Sequence, residues 1–273
     1  MRSLVVVNGE SWWPTYFPGV DVYHRRLQNS QWLFQNNELW VFDAAGGVRV
    51  DAVLWRLGAI RPHASHRAVL ECIRLSGVPC VNPAATLLRG YDRLSMLCEL
   101  RECGIPLLDF AVAVGENMLQ QVSQALPLVL KIGNLHGGYG KAQATTASQW
   151  ADLKDVAFAA DDYATVEPFV SYKRDIRCLA IGEHLWAMTR RTAEWKVNRG
   201  VAEFELIEPP QILADYTRRA LEHVGADTIA LDFLQTEDDE YFALESNDIP
   251  GLSGFPEATR FQLASCLQNR WKA

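Results

Sequence analysis

Hydrophobic and polar positions alternate along the first third of the chain in a way that predicts strands and helices in turn. Short apolar runs predict three strands, at residues 4–7, 39–42 and 52–55. A helical pattern over residues 65–77 ends on Gly77, where a left-handed helix end is favoured, and the short strand VPCVN follows. This order is typical of a small α/β lobe.

The pattern changes in the remainder of the chain. Helical spacing predicts helices over residues 92–103, 146–160 and 211–225. The segment GIPLLDF (104–110) is predicted to be a strand after a helix stop, and ATVEPFV (164–170) is another strand. From about residue 167 the chain is rich in strand-like runs, namely IRCLAIG, HLWAMTR, TIALDFL and YFALESN. No internal repeat or low-complexity linker interrupts the sequence.

Composition excludes several classes of protein. The 273 residues are 49% hydrophobic and 22% charged, with a net charge of -7, so no basic stripe is available for nucleic acid. No apolar window is long enough to span a bilayer, and the start MRSLVVVNGE is too short in apolar residues for a signal-peptide core. Six cysteines without a CxxC pair argue against zinc or a disulfide framework. We therefore expect a cytoplasmic protein without nucleic-acid or membrane partners.

The stretch LVLKIGNLHGGYGK carries the first candidate chemistry. A hydrophobic strand runs into a loop of glycines bracketed by two lysines: Lys131, Gly133, Gly137, Gly138, Gly140 and Lys141. Glycines permit positive φ and close approach of the backbone to a ligand, and lysines offset negative charge. The loop therefore predicts a polyphosphate site.

Two common phosphate-binding loops do not fit this stretch. A P-loop requires a glycine where Leu135 stands and Ser or Thr where Ala142 stands. The dinucleotide fingerprint requires a third glycine where Gln143 stands, and no helical pattern begins there. Another phosphate-binding architecture is needed.

A hairpin over residues 228–247 predicts a metal site. If Asp238 and Asp239 form a two-residue loop, Leu234 faces Ala243, and the pairs Asp232 with Glu245 and Ala230 with Asn247 follow. Asp232, Glu245 and Asn247 then share one face, while Phe242 and Leu244 project to the other. The alternative is the solvent side of an amphipathic hairpin. Because opposed carboxylates repel unless a cation lies between them, we favour a hard metal ion, Mg²⁺.

Several basic residues lie between these two segments. Asp175 and Arg177 alternate along one strand, and MTRRTAEWKVNRG supplies Arg190, Arg191 and Asn198. A structural ion pair and solvated loop charges are the simpler interpretations. The mixture also suits an enzyme of phosphoryl transfer, which works mainly by positioning its substrates and neutralising negative charge.

The order of the motifs resembles the ATP-grasp superfamily. The segments VEPFV, DIRCLAIG, the paired arginines and ESNDIPG look like the RimK group of amino-acid ligases. The segments DAVLWR, GVPCVNP and HGGYGK look equally like the ATP-binding domain of synapsins. The resemblance covers about residues 50 to 255. It leaves out the first 50 residues, whose aromatic segment WWPTYF we interpret as packing.

The resemblance implies an α/β (α+β) fold of three lobes: a small N-terminal lobe (1–88), a central lobe with a glycine-rich lid (89–166) and a C-terminal lobe with the metal site (167–273). ATP is then clamped between two sheets, with Glu167, Pro168, Phe169 and Val170 as the hinge that meets adenine. Lys131, Lys141, Gly137, Gly138, Gly140 and Asp175 belong to the same nucleotide site. Arg93 stands where the family usually has a lysine, and an arginine there can still contact phosphate although its geometry differs.

The resemblance also implies metal-binding and catalytic roles for individual residues. Asp232, Glu245 and Asn247 hold Mg²⁺, with Mn²⁺ as an alternative. Arg177 with Arg190 or Arg191 stabilises anions, and Asn198 faces the substrate. The implied activity is an ATP-dependent ligase that joins a small-molecule or peptide carboxylate to an amine such as an amino acid. The alternative, from another class, is a synapsin-like module that binds ATP without making a bond. The substrates and the oligomeric state, a homo-oligomer included, stay open.

Overall fold

A computed structural model describes residues 2–115, 117–160, 162–192, 195 and 203–272. Its α/β class agrees with the alternation of the sequence pattern. The first part of the chain forms two sheets and two helices. Its elements are β1 (Ser3–Val7), β2 (Asp21–Arg25), β3 (Gln31–Gln35), β4 (Glu38–Asp43), β5 (Gly46–Arg49), β6 (Ala52–Trp55), α1 (Ala64–Ser76), β7 (Cys80–Val81) and α2 (Ala84–Gly90).

The parallel sheet of this part has the strand order β2-β1-β6-β7, while β3, β4 and β5 form a separate antiparallel meander. Strands β1 and β6 are almost wholly buried, as expected for parallel strands covered on both faces. The aromatic segment before β2 packs into this core, where Trp13 and Phe17 are 0% and 1% exposed. The packing interpretation of WWPTYF is thus confirmed for Trp13, Tyr16 and Phe17, whereas Trp12 is 36% exposed.

The middle part of the chain forms a four-stranded antiparallel sheet with the order β10-β9-β11-β8. Its elements are α3 (Arg93–Glu102), β8 (Ala111–Ala113), β9 (Leu128–Ile132), β10 (Lys141–Ala144), α4 (Ala147–Ala159) and β11 (Ala164–Pro168). Helix α4 begins with a capping box in which Thr146 and Gln149 satisfy each other's backbone N–H groups.

The strand predicted at residues 104–110 is wrong. This segment makes one isolated bridge, between Leu107 and Ala243, and the strand β8 begins only at Ala111. Pro106 has no N–H to donate to a ladder, although its carbonyl accepts from the Ala243 N–H at 2.8 Å. The segment therefore pairs with another strand only at Ala243 and does not itself form a strand.

The last part of the chain forms a five-stranded antiparallel sheet with the order β14-β13-β12-β15-β16. Its elements are β12 (Tyr172–Ile181), β13 (His184–Arg191), β14 (Glu203–Ile207), α5 (Gln211–Val224), β15 (Thr228–Thr236), β16 (Tyr241–Asn247) and α6 (Ala258–Lys272).

Strand β12 shows how this sheet divides its two faces. Ile176, Cys178 and Ala180 pack with α3 and α5 on one face. On the other face, Leu179 and Ile181 pack against α6 and the first sheet. Asp175 and Arg177 continue that second face beyond α6, so their side chains reach the space between sheets. Charged side chains are thereby placed at one end of an otherwise apolar surface.

Asn82 ties the first part of the chain to the last. It is 1% exposed and follows β7. Its amide nitrogen donates to the carbonyls of Thr228 (2.7 Å) and Asp248 (2.6 Å), and its amide oxygen accepts from the N–H groups of Asp227 (2.7 Å) and Thr228 (2.9 Å). One amide side chain thus satisfies four backbone groups across sequence separations of about 150 residues.

We expect Asn82→Ala to lower the free energy of unfolding by about 3 kcal/mol, because buried backbone donors and acceptors lose their partners together. Urea denaturation followed by circular dichroism measures the change. Asn29→Ala, at an exposed position, is the matched control and should change stability by less than about 0.5 kcal/mol. A loss of under about 1 kcal/mol for Asn82→Ala would contradict this account of how the parts are joined.

Candidate active site

A cleft lies between the middle sheet and the five-stranded sheet. Its wall includes apolar side chains, among them Leu108, Val129, Leu234 and Leu244. It also includes charged side chains from both sheets, among them Lys131, Lys141, Asp175, Arg190, Asp232 and Glu245. A flat apolar group and a polyanion can therefore be accommodated side by side.

Two lysines face this cleft from adjacent strands. Lys131 on β9 and Lys141 on β10 are directly paired in the antiparallel register. Lys131 is 5% exposed and its Nζ lies 2.6 Å from Glu167 Oε1, while Lys141 Nζ lies 3.1 Å from Glu245 Oε2. Burial lowers the pKa of Lys131 from its usual value, although Glu167 opposes that effect. Lys131 and Lys141 stand at the two ends of the glycine loop, and both line the same wall of the cleft.

The loop between these lysines has the backbone that its glycines predict. Gly133, Gly137, Gly138 and Gly140 all have positive φ, between 51° and 78°. A Cβ at Gly140 would lie 2.5 Å from Leu135 Cδ1 and 3.1 Å from the carbonyl of Ile132, so only glycine fits there. The His136 N–H donates to the carbonyl of Ile60 at 2.8 Å, which ties the loop to the first part of the chain.

Arg93 has contacts that the sequence did not predict. Its side chain is buried, and its guanidinium donates to the carbonyls of Gly133 and Leu135. Its backbone N–H donates to Asn134 Oδ1 at 2.8 Å. In this structure Arg93 therefore holds the glycine loop, and the phosphate contact implied by the resemblance stays a prediction.

We expect Arg93→Met to accelerate hydrogen exchange of residues 133–140 by about tenfold, because the loop loses hydrogen bonds to a charged donor worth roughly 1.5 kcal/mol. Arg101→Met, at an exposed position of the same helix, is the control and should leave the exchange rates near wild type. Unchanged exchange in Arg93→Met would contradict the anchoring role.

The hairpin of β15 and β16 has the predicted pairing at its far end. Asp232 pairs with Glu245, and Ala230 pairs with Asn247. The predicted two-residue loop is wrong, since Thr236 and Glu240 are joined by a backbone hydrogen bond and enclose three residues. Asp239 takes the left-handed conformation at φ 64°, which is typical of a three-residue hairpin loop.

A bulge compensates for the longer loop. The register shifts between Asp232 and Phe233, so Leu234 pairs with Phe242 instead of the predicted Ala243. Ala243 consequently packs with Phe233 in the core, and Leu244 lines the cleft, although the prediction placed it on the opposite face. One extra residue in the turn and one in the bulge cancel, which preserves the pairing of the two carboxylates.

The carboxylates of the cleft are neutralised by protein cations. Arg177 Nε and Nη2 donate to the two oxygens of Asp232, each at 2.7 Å, and Arg190 Nη2 lies 3.2 Å from the same carboxylate. Arg190 Nε also donates to Asp175 Oδ1 at 2.6 Å. Asp175, two residues before Arg177 in the sequence, is thus the ion-pair partner of Arg190. Opposed carboxylates need a cation, as expected, but side chains supply it here, so repulsion alone does not demonstrate a metal.

Burial and these pairs act against each other on the acids. Burial raises the pKa of Asp175 to about 6, even with Arg190 beside it. Burial also acts to raise the pKa of Asp232, but Arg177 and Arg190 outweigh it and hold that pKa below its usual value. Lys141 is the main cause of the strongly lowered pKa of Glu245. Asp232 and Glu245 are therefore anionic at neutral pH and can act as oxygen ligands.

The donor set suits a hard cation. Asp232 and Glu245 offer carboxylate oxygens from paired positions, and Asn247 lies two residues further along the same strand, where its Oδ1 also accepts from the Ile249 N–H at 2.9 Å. Oxygen ligands of this kind fit Mg²⁺. Among the described residues, no group of three or more His, Cys, Asp or Glu side chains is placed to hold a metal ion. Any metal here therefore relies on two carboxylates and an amide.

The remaining predicted residues are placed unequally. The hinge residues Glu167, Pro168, Phe169 and Val170 all line the cleft, and the Phe169 N–H donates to the carbonyl of Pro127 at 2.9 Å. Arg190 is buried and lines both the cleft and a depression on the surface, whereas the neighbouring Arg191 is exposed and lines that depression. Asn198 lies outside the described residues.

Sequence reasoning did not place two aromatic residues, Tyr172 and Trp195, in this cleft. Trp195 lines the cleft and makes an edge-on contact with Phe169, with ring centroids 6.3 Å apart. Its position in a charged loop, TAEWKVNRG, gave no periodic signal, and only the spatial neighbourhood identifies it. Together the rings of Phe169 and Trp195 extend the apolar part of the wall.

Comparison with known proteins identifies relatives of this chain. Residues 99–250 match the family model described as the synapsin ATP-binding domain. A probable alpha-L-glutamate ligase of Legionella pneumophila is 30% identical over 227 residues, which cover 78% of this chain and 73% of that protein. The glutamate–LysW ligase ArgX of Sulfolobus acidocaldarius is 25% identical over 225 residues, which cover 76% of this chain and 78% of that protein.

A solved structure shares the fold along the whole chain. The D-alanyl-alanine synthetase A of Vibrio cholerae superimposes with a TM-score of 0.80 at 13% identity, covering 100% of this chain and 99% of that one. In the part of the chain that the structure describes, no helix is long and apolar enough to cross a membrane.

Proposed function

Because this chain belongs to the ATP-grasp superfamily, in the family of the synapsin ATP-binding domain, we propose that it is a ligase that joins a carboxylate to an amine through an acyl phosphate. ATP-dependent joining of carboxylate and amine is the chemistry of its ligase relatives. The acyl-phosphate route and the roles of individual residues are our proposal, as is the division into lobes at residues 88 and 166.

The nucleotide occupies the cleft with its base against the apolar wall. Leu108, Leu234 and Leu244, together with Phe169, offer a surface for adenine next to the hinge. The triphosphate then extends toward Lys131 and Lys141, which face each other across two paired strands. The glycine loop between those lysines lies over the phosphates and excludes water.

Binding of the nucleotide exchanges ionic partners within the cleft. In the structure the lysines pair with Glu167 and Glu245, and the arginines pair with Asp232. A polyphosphate offers the cations new oxygen partners, which frees the carboxylates to hold Mg²⁺ together with Asn247. When bound, Mg²⁺ offsets charge on the triphosphate oxygens and thereby lowers the barrier to transfer.

The first chemical step is attack of a substrate carboxylate oxygen on the γ-phosphorus of ATP. A carboxyl O–P bond forms while the bond between that phosphorus and the β–γ bridging oxygen breaks, which gives an acyl phosphate and ADP. Arg190 is buried and lines the cleft, and Arg177 lies beside it, where it holds Asp232 through two hydrogen bonds. Both guanidinium groups stabilise the negative charge that spreads over the transferring group. No nucleophilic side chain is needed.

The second step is attack of an uncharged amine on the acyl carbon. The C–N bond of the amide forms, the C–O bond to phosphate breaks, and inorganic phosphate and one proton are released. The tetrahedral oxyanion that precedes this cleavage requires a nearby cation, and the same two arginines are available for it.

The observation that carries the proposal is the paired register of the cleft. Lys131 stands opposite Lys141 on one sheet, and Asp232 stands opposite Glu245 on the other. The Lys141–Glu245 contact at 3.1 Å joins the two pairs. Cations for phosphate and acids for a divalent metal thus converge on one space from two sheets.

Release of ADP from ATP and Mg²⁺ in the presence of pooled amino acids and short peptides tests the function. The ligase account predicts turnover that depends on the acceptor pool and a product heavier than the acceptor by one acyl group, detected by mass spectrometry. Tight ATP binding without turnover in any pool would instead favour the synapsin-like binding module. The enzyme is favoured because the matches to the two ligase relatives extend over 78% and 73% of their lengths.

A further inference from the structure

The glycine loop carries one histidine, His136, which has no role in the nucleotide site described above. His136 does not line the nucleotide cleft but a second cavity of about 320 Å³ beside it. Glu245 lines both spaces, and Arg177 lines the second one. Because the cavity meets the cleft at Glu245, a nucleophile that approaches the acyl carbon from this side comes close to His136.

The main chain of His136 is held on both sides of its side chain. Its N–H donates to the carbonyl of Ile60 at 2.8 Å, and its carbonyl accepts from the Tyr139 N–H at 3.3 Å. The preceding carbonyl, that of Leu135, accepts from the guanidinium of Arg93. The glycines around it permit many conformations, so these contacts give the histidine a defined place in the loop.

The imidazole of His136 has ring nitrogens that can accept a proton. The residue is partly exposed, and neither nitrogen is among the fully buried atoms that lack a partner. Within the part of the chain that the structure describes, the ring makes no hydrogen bond and no ion pair, including none with Glu245. A neutral imidazole always has one nitrogen with a lone pair for an incoming proton.

The surroundings of His136 favour its neutral form. Burial is the main cause that lowers the pKa of His136 from its usual value. Arg93 on α3 and Lys141 on β10 act in the same direction, whereas Glu245 on β16 opposes them. Arg177 on β12 is a further cation of the cavity. Even an unshifted histidine is mostly neutral at physiological pH, so the residue is in the form that a base requires.

The acids of the cavity are already committed to other contacts. Glu245 pairs with Lys141 at 3.1 Å, and this lysine is the main cause of its strongly lowered pKa. Asp92 caps α3, where it accepts from a backbone N–H at 2.9 Å. Asp248 Oδ2 is buried and has no surface toward the cavity. Among the described residues of this cavity, His136 is therefore the base that an incoming molecule can reach.

We propose that His136 is the general base of the second chemical step and takes a proton from the ammonium form of the amine substrate. An N–H bond of the ammonium breaks, its electron pair stays on nitrogen for attack on the acyl carbon, and the proton moves to a ring nitrogen of His136. The second proton leaves the nitrogen with the departing phosphate, and the imidazolium returns its proton to water. The inference rests on the proposed ligase function and adds a catalytic residue to it.

A comparison of two nucleophiles tests this role. The amines of amino acids are mostly charged at neutral pH and need a base, whereas hydroxylamine is uncharged and needs none. In the full chain with ATP, Mg²⁺ and the pooled amino acids and peptides, amides are measured by mass spectrometry. Added hydroxylamine converts the acyl phosphate to a hydroxamate, which is measured as its coloured iron complex. We expect His136→Asn to slow amide formation by about 100-fold and hydroxamate formation by less than about threefold.

A control and two outcomes define the result. His184→Asn, at an exposed position of β13, should leave both rates within about twofold of wild type. Equal loss of amide and hydroxamate in His136→Asn would show that His136 only shapes the loop, and it would overturn the proposal. Amide formation at the wild-type rate in His136→Asn would overturn it as well.

The pH profile gives a second readout that a purely structural role would not change. In the wild type, amide formation should fall at a pH below the ordinary range of histidine, because the imidazole is then protonated. In His136→Asn the defect should shrink from about pH 7 to about pH 9, since more of the amine loses its proton without help. A defect of constant size across this range would contradict the role as a base.

Failure of this inference is distinguishable from failure of the ligase function. If the wild type forms hydroxamate and amide, and His136→Asn forms both at the same rates, the ligase function stands and the base is wrong. If the wild type binds ATP but forms neither product, the ligase function is wrong, and the role of His136 falls with it.

Discussion

Lys131→Met is expected to weaken ATP binding by about 100-fold or more, which corresponds to roughly 3 kcal/mol. The ammonium of Lys131 is buried at the wall of the cleft and faces Lys141. Its loss removes a cation from the phosphate site and leaves the Glu167 carboxylate without its partner at 2.6 Å. Both effects disfavour a triphosphate. Equilibrium titration with a fluorescent ATP analogue measures the affinity.

Two further variants separate these effects from a general loss of charge. Lys272→Met changes an exposed lysine of α6 and should leave the affinity for ATP within about twofold of wild type. The double variant Lys131→Met/Glu167→Gln removes both partners of the ion pair and should still bind ATP weakly. Recovery of wild-type affinity in the double variant would show that Lys131 only neutralises Glu167.

Arg190→Met and Arg191→Met should differ sharply, although the residues are neighbours in the sequence. We expect Arg190→Met to lower kcat for ADP release by about 10²- to 10³-fold, the effect of losing one charge-stabilising donor at a transition state. Arg191 is exposed and lies beside a surface depression, so its replacement should change kcat by less than about threefold. Steady-state kinetics with saturating ATP measures both.

Arg190 also holds Asp175 and Asp232, so its replacement affects folding as well. Removing one partner of a buried ion pair costs about 3 to 5 kcal/mol, whereas replacing both partners costs less. The double variant Arg190→Met/Asp175→Asn should therefore recover part of the stability but none of the activity. Equal loss of kcat in Arg190→Met and Arg191→Met would contradict the placement of the catalytic arginine.

The pairing of Asp232 with Glu245 was predicted from strand alternation and an assumed two-residue turn, and the structure has that pairing. The same reasoning gave a wrong loop length. Asp239 takes a left-handed conformation, which an aspartate can adopt but which its residue type does not predict. It also missed the bulge before Phe233, which moves Ala243 into the core and Leu244 into the cleft. Register near the carboxylates was correct only because the two deviations cancel.

The glycine loop was predictable in backbone conformation but not in its attachments. Positive φ at Gly140 follows from residue type, while the contact of Arg93 with the Gly133 carbonyl joins residues 40 positions apart. The four hydrogen bonds of Asn82 span still larger separations. Such contacts depend on how the sheets pack, which periodicity along one strand does not encode.

The partners of the charged residues show the same limit. Alternation places Asp175 and Arg177 on one face, and the structure agrees, since both belong to one cluster of ion pairs with Asp232 and Arg190. Alternation along one strand does not predict that Arg190 binds Asp175 while Arg177 binds Asp232. Those partners depend on which strands lie next to β12 in the sheet. The second cavity was equally hidden, since it combines residues from all three parts of the chain.

A crystal structure of the full chain with Mg²⁺ and a non-hydrolysable ATP analogue tests the central claim most directly. The account predicts that the β- and γ-phosphate oxygens lie within hydrogen-bond distance of Lys131 Nζ and Lys141 Nζ. It also predicts that oxygens of Asp232, Glu245 and Asn247 coordinate the metal, with Arg177 and Arg190 turned toward the γ-phosphate. A nucleotide bound outside this cleft, or bound there with Asp232 and Glu245 still held by arginine and lysine and no metal between them, would contradict the account.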